Sequence, residues 1–173
     1  MKRLIVLKFL LLVLSAVVIC QTPNSAVSRQ ASALIGIENA KLEVIYVGEG
    51  LERKLRRAGV ESKAIARLES GGIGILKPPY PPRSSGLPII NIIVSYDESY
   101  DGRSFGYWFS VSVEEKAVVL RDPEIQGQVI TWIQRTSGTS EIKNTQDLLD
   151  RILGYIDYLV DDWQTANRKA KRR

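Results

Sequence analysis

Phe105-Gly106-Tyr107-Trp108-Phe109-Ser110-Val111-Ser112-Val113 is the stretch that decides the fold. Phe105, Tyr107, Phe109, Val111 and Val113 occupy alternate positions, and a β-strand sends successive side chains to opposite faces. The spacing therefore predicts a strand with one apolar face and one mixed face. Residues 88–96 precede it, and residues 116–121 and 128–135 follow, each rich in β-branched or aromatic residues. Together they predict a four-stranded antiparallel meander with one face buried and much of the other wet.

Working outward, residues 42–47 read as a first strand, with Leu42, Val44 and Tyr46 on one side. Residues 50–58 and 61–69 read as two short helices split by Gly59, and 73–76 as a short strand after the stop Ser70-Gly71-Gly72. Four prolines between positions 78 and 82 deny that segment both helix and ladder bonds, predicting an extended crossover to Leu87. Asp97-Glu98-Ser99-Tyr100-Asp101-Gly102 reads as a hairpin loop, Asp122-Pro123 as a break in the ladder, and Thr136-Ser137-Gly138-Thr139 as a turn. From Asn144, a good N-cap with Asp147 three residues on, Leu148, Leu149, Ile152, Ile156, Leu159, Val160 and Trp163 form a continuous apolar stripe. That stripe predicts a long helix lying across the sheet. Asp161 and Asp162 fall off it and read as solvated surface. The fold class is α+β in two layers: an antiparallel four-stranded meander plus a short N-terminal β-α-β element, covered by a long C-terminal amphipathic helix. This element order resembles that of small periplasmic modules such as the N-terminal domain of TolB-type proteins, without a shared motif, and fold does not imply function.

The first twenty residues have the layout of a secretory signal peptide: Lys2 and Arg3, an apolar run over 9–19, then polar residues. An uncleaved anchor is the alternative, though Lys8 interrupts the run. Cys20, directly after the run, resembles a bacterial lipobox cysteine, but Ile19 stands where a small residue belongs, which argues against lipidation. The expected organisation is 1–20 signal, 21–40 loose polar leader, 41–167 a single α+β domain and 168–173 a basic tail. Localisation is expected to be extracytoplasmic, periplasmic or secreted. Cys20 is the sole cysteine, so a chain processed there has no disulfide to stabilise it. The net charge of +5 comes from the ends: of 24 basic residues, three lie in the first twenty and five in the tail, leaving 16 against 19 acids between them. A mildly acidic body lacks the footprint of a nucleic-acid binder.

The chain contains no histidine, which removes His-based proton transfer, Ser–His triads and most transition-metal catalytic sites. Asp97, Ser99 and Asp101, followed by Gly102, match the first half of an EF-hand loop, since alternate oxygens can converge on a hard cation. Trp108 occupies the twelfth position, where a bidentate Glu belongs, so this is a weak calcium candidate. Gly48-Glu49-Gly50 opens a helix as a dinucleotide fingerprint would, but Arg53 takes the third Gly position. Ser140 and Lys143 match S-x-x-K without its companion motifs. Glu114 and Glu115 are adjacent on a strand and face apart, so they cannot share a substrate. Tyr96, Tyr100 and Trp108, with Arg103 among them, cluster around one hairpin and form the candidate ligand or partner surface, led by Trp108. No catalytic residue and no cofactor is expected. An unknown protein partner is open, and membrane contact only through an uncleaved signal or the basic tail.

The sequence thus points to an exported, non-catalytic module with a binding or structural role at the cell envelope. The alternatives are a His-free hydrolase and a membrane-tethered accessory subunit of an envelope complex.

Overall fold

The structure is a computed structural model and describes residues 29–48, 55, 59–80, 86–98, 104–141 and 145–171. In chain order these form α1 (Arg29–Ser32), β1 (Asn39–Val47), α2 (Val60–Gly71), β2 (Gly74–Leu76), β3 (Ile89–Glu98), β4 (Ser104–Val119), β5 (Asp122–Glu141) and α3 (Thr145–Ala170). The strands make one five-stranded sheet ordered β2-β1-β3-β4-β5. β1 runs parallel to both β2 and β3, while β3–β4 and β4–β5 are antiparallel. The class is α+β, as the periodicity predicts; β1, α2 and β2 form the expected β-α-β element, but it joins the antiparallel strands in one mixed sheet in place of a separate four-stranded meander.

The correction lies in two strands. Residues 104–113 and 116–121 were expected to be separate, with the acids Glu114 and Glu115 between them, yet β4 runs through them unbroken. An acidic pair interrupts a strand only where both faces must be apolar, and at this point neither is buried. Asp122-Pro123 interrupts the ladder only locally, since β5 begins at Asp122 and residues 123–125 are passed over between Val119↔Asp122 and Val118↔Gln126. The turn is Leu120-Arg121, and Pro123 falls at the register shift between Val118 and Val119, on the edge strand, where no donor is needed. The expected turn at 136–139 is also strand, inside β5. The expected helix over 50–58 and the cap Asn144 lie outside the described residues, apart from buried Leu55.

One face of the sheet carries the core. Phe105, Tyr107, Phe109, Val111 and Val113 are buried on it, beside Ile90, Ile92, Val94 and Tyr96 of β3 and Trp132 of β5. The aromatic rings run as a ladder, Tyr96 to Phe105 at 4.8 Å between centroids, then through Tyr107 to Phe109, which meets Tyr155 of α3 edge-on at 4.9 Å. Gly138 faces Tyr107 across β4–β5, and a Cβ there would stand 2.6 Å from the Tyr107 hydroxyl, so the ring occupies the space a side chain would need. α2 buries Val60, Ala64 and Leu68, one turn apart. It stops at Gly72, whose φ of 103° is left-handed; the Gly72 N–H donates to the Glu69 carbonyl and the Ile73 N–H to that of Leu68. α3 buries Leu148, Leu149, Ile152, Leu153, Ile156 and Leu159 on the same side.

Beyond Leu159, α3 changes from an apolar stripe to a polar latch. Asp162 accepts from Trp132 Nε1 at 2.9 Å, and Trp163 Nε1 donates to the Ile37 carbonyl at 2.6 Å. Gln164 donates to the Gly71 carbonyl at 3.1 Å. Asn167 donates to the Leu34 carbonyl at 3.2 Å and accepts from the Gly36 N–H at 3.0 Å. Asp162, which the sequence pattern assigns to solvated surface, is therefore the partner that a fully buried indole requires. Residues 29–40 also differ from the expected loose leader. α1 packs beside α3 and β5, Ala31, Leu34, Ile37 and Ala40 are buried, and β1 begins at Asn39.

β3 pairs with β4 only as far as Ile89↔Glu114. From Glu115↔Val129 to Val119↔Asp122, β4 and β5 continue alone. They project as a two-stranded ribbon about 17 Å beyond the end of the sheet where β1 and β3 begin.

Asp162→Ala leaves the buried Trp132 N–H without an acceptor and should cost about 1–3 kcal/mol. A urea midpoint equal to that of the parent protein would contradict the latch.

Candidate functional site

The face of the sheet opposite the helices carries Trp108. In register, Val47, Ser95, Trp108 and Ser137 form one row across four strands, and Ile45, Ile93, Ser110 and Arg135 form the next. Alternation sets Trp108 on the side opposite Tyr107, and the indole is 39% exposed. Val47 and Ile45 are exposed beside it, while the short side chains Asn91, Ser110 and Ser112 are buried. No buried side-chain polar atom among the described residues lacks a hydrogen-bond partner.

Tyr96, expected to share this surface, lies on the other face, buried against Phe105. The cause is parity: Tyr96 pairs with Tyr107 and Ser95 with Trp108, so adjacent residues are divided between core and outer face. Tyr100 and Arg103 lie outside the described residues, as do Ser99 and Asp101. Asp97 is described and exposed on β3. Cys20 and Lys143 are also outside, and Ser140 belongs to β5. Glu114 and Glu115 stand opposite Ile130 and Val129 on successive rungs, hence on opposite faces of the ribbon. Among the described residues there is no group of three or more His, Cys, Asp or Glu side chains placed to hold a metal ion. Of the sequence candidates, then, the structure leaves Trp108 as the one placed side chain with an open aromatic surface.

Two features were not anticipated. The first is a cleft of about 540 Å³ at the carboxyl ends of β1 and β2, walled by Tyr46, Ile65 and Pro78, with Lys77 and Ser62 at its rim. Ligands of α/β sheets bind at such strand ends. The Ser62 hydroxyl donates to the Gly59 carbonyl at 3.1 Å, and Glu61 and Lys77 also line the cleft. Its chemistry is that of a shallow recognition surface. The parallel β1–β2 pair behind it is implied by the expected β-α-β element, but the recess its strand ends leave open is not.

The second is the ribbon. Val118, Leu120, Ile125, Val129 and Ile130 are all exposed on it, Leu120 at 96%. A bare two-stranded hairpin is marginal in water, and apolar residues on it gain nothing from the domain's own core. Exposed apolar clusters of this kind mark interaction surfaces.

No family model matches the chain. A search of curated proteins returns no match. Among solved structures, a point variant of PelC from Paraburkholderia phytofirmans, described as a dodecamer, is similar with a TM-score of 0.41 and 16% identity, over 75% of this chain and 89% of that one. A second crystal form of the PelC dodecamer from the same organism gives a TM-score of 0.40 and 14% identity, over 75% and 88%.

Trp108→Ala should change stability much less than the ~3–5 kcal/mol expected for Trp132→Ala in the core. Guanidinium melts of the two variants side by side check this, and equal losses would mean that Trp108 is a packing residue.

Proposed function

We propose that the chain is an exported α+β module that works by binding or structural support at the cell envelope, without catalysis. The observation that carries this reading is the ribbon: a costly projection of exposed apolar side chains built onto an otherwise well-buried sheet. A projection of this kind has a physical rationale only if something lies against it. The export part rests on the sequence of the first twenty residues, where two cations precede the apolar run. The binding part draws further support from Trp108 and its apolar neighbours on the outer face. The lack of any histidine narrows the chemistry open to a catalytic alternative. Among the described residues no helix is long and apolar enough to cross a membrane.

Two measurements test this. Deleting residues 2–20 should move the protein from the extracytoplasmic to the cytoplasmic fraction; an unchanged distribution would remove the export claim. Val118→Asp with Ile130→Asp should release the exported protein from the envelope fraction, with thermal stability altered by less than about 0.5 kcal/mol because both sites are exposed. Retention of that double variant in the envelope would show that the ribbon is not what holds the protein there.

A further inference from the structure

Several separate features meet at one end of the sheet. β1 and β3 begin there, β4 and β5 turn there, and the latch of α3 reaches Leu34, Gly36 and Ile37 there. The apolar ribbon projects from this end, with Leu120 at its tip, and Ile35 stands exposed beside its base. The helix α3 points the same way as it leaves the latch, carrying Arg168, Lys169 and Lys171. Five of the last six residues of the chain are basic. The chain also enters the fold at this end, through α1, ten residues after the apolar run of positions 9–19.

We propose that this end docks on an anionic lipid bilayer, the ribbon tip entering the interfacial region and the C-terminal cations lying at the headgroups. The inference deepens the envelope reading and rests on it for its setting. Its chemistry is independent of that reading. Exposed apolar residues at a narrow tip suit a soft interface that accepts Leu120 without a preformed pocket, since apolar groups partition into the headgroup–acyl boundary. Basic residues beside an anionic surface add attraction that falls off within a Debye length, so they must lie close to it, as residues flanking the same end do. The ribbon's own acids, Glu114, Glu115, Asp122 and Glu124, oppose that attraction and outnumber Lys116 and Arg121, the latter beside Leu120 at the tip. The ribbon's main contribution is therefore apolar, and most of the favourable charge comes from the tail.

The test uses the full chain with Cys20→Ser and Leu120→Cys, labelled at position 120 with an environment-sensitive nitrobenzoxadiazole dye. It is mixed with vesicles of phosphatidylcholine alone, or of phosphatidylcholine with phosphatidylglycerol. The expected result is a blue shift on the anionic vesicles, quenching by nitroxide-bearing lipid, and weakening with added salt. Replacing Lys169, Lys171, Arg172 and Arg173 by Gln should lower the affinity for those vesicles roughly fivefold per cation removed. Three results would overturn the proposal. The dye could stay in water while the chain floats with the vesicles, held by its first residues alone. It could respond equally to neutral and anionic vesicles. It could shift without vesicles as protein concentration rises, which would make a second copy the occupant of the ribbon. A failure of export in cells, with the dye still responding to anionic lipid, would count against the envelope reading and leave this inference standing.

Discussion

The fold depends on the seating of α3 across the aromatic ladder of β4. Each half of the helix does a different job. From Leu148 to Leu159 it supplies apolar side chains that are buried almost completely against the sheet. Burying such residues is worth about 1.5–3 kcal/mol each before conformational entropy is charged against it. Those contacts are non-directional and would tolerate sliding. From Asp162 to Asn167 the helix makes directional bonds to β5, to the end of α2 and to the segment leading into β1. The second set fixes the position that the first set makes favourable. Gly71 belongs to the same joint, because a Cβ there would run into Val160 of α3. Arg67 of α2 pairs with Asp157 of α3 on the exposed side of the contact, where an ion pair adds little.

This arrangement divides the molecule into ends with different chemistry. At the carboxyl ends of β1 and β2 lies a shallow cleft with Lys77 at its rim. At the opposite end the latch gathers the chain's entry, the base of the ribbon and the departing basic tail. The ribbon is the exception to the rule that governs the rest of the sheet. Elsewhere the core face of the sheet meets helices, while over 121–130 the strands keep their β-branched residues and every residue is exposed. A local departure of this sort from an otherwise self-consistent pattern is where function is to be sought.

Much of this architecture is legible in the sequence, and the failures have physical reasons. Strict alternation from Phe105 to Val113 identifies the core strand, and the stripe from Leu148 to Trp163 identifies the helix that covers it. The β-α-β order implies that β1 and β2 run parallel, but that β3 also joins β1 in parallel is not legible, because periodicity does not say which strands become neighbours. Glu114-Glu115 reads as an interruption only if a strand must bury a face, which a free ribbon does not. The burial of residues 31–40 has a signal, Ala31, Leu34, Ile37 and Ala40 recurring at every third position, but small and polar neighbours obscure it. Asp162 is misassigned because helical periodicity sorts positions by polarity alone, whereas a buried tryptophan demands an acceptor from whichever element faces it. On the candidate surface, parity correctly sets Trp108 apart from Tyr107, yet grouping by proximity in sequence wrongly joins Tyr96 to it.

Native-state hydrogen exchange of α3 beside β4 tests the central claim most directly. If the helix closes the sheet, the amides of residues 148–166 open only with the whole fold, and their protection matches that of residues 107–113. Fast exchange along α3 while β4 stays protected would show that the sheet stands without its clasp, and would contradict the dependence of the fold on α3.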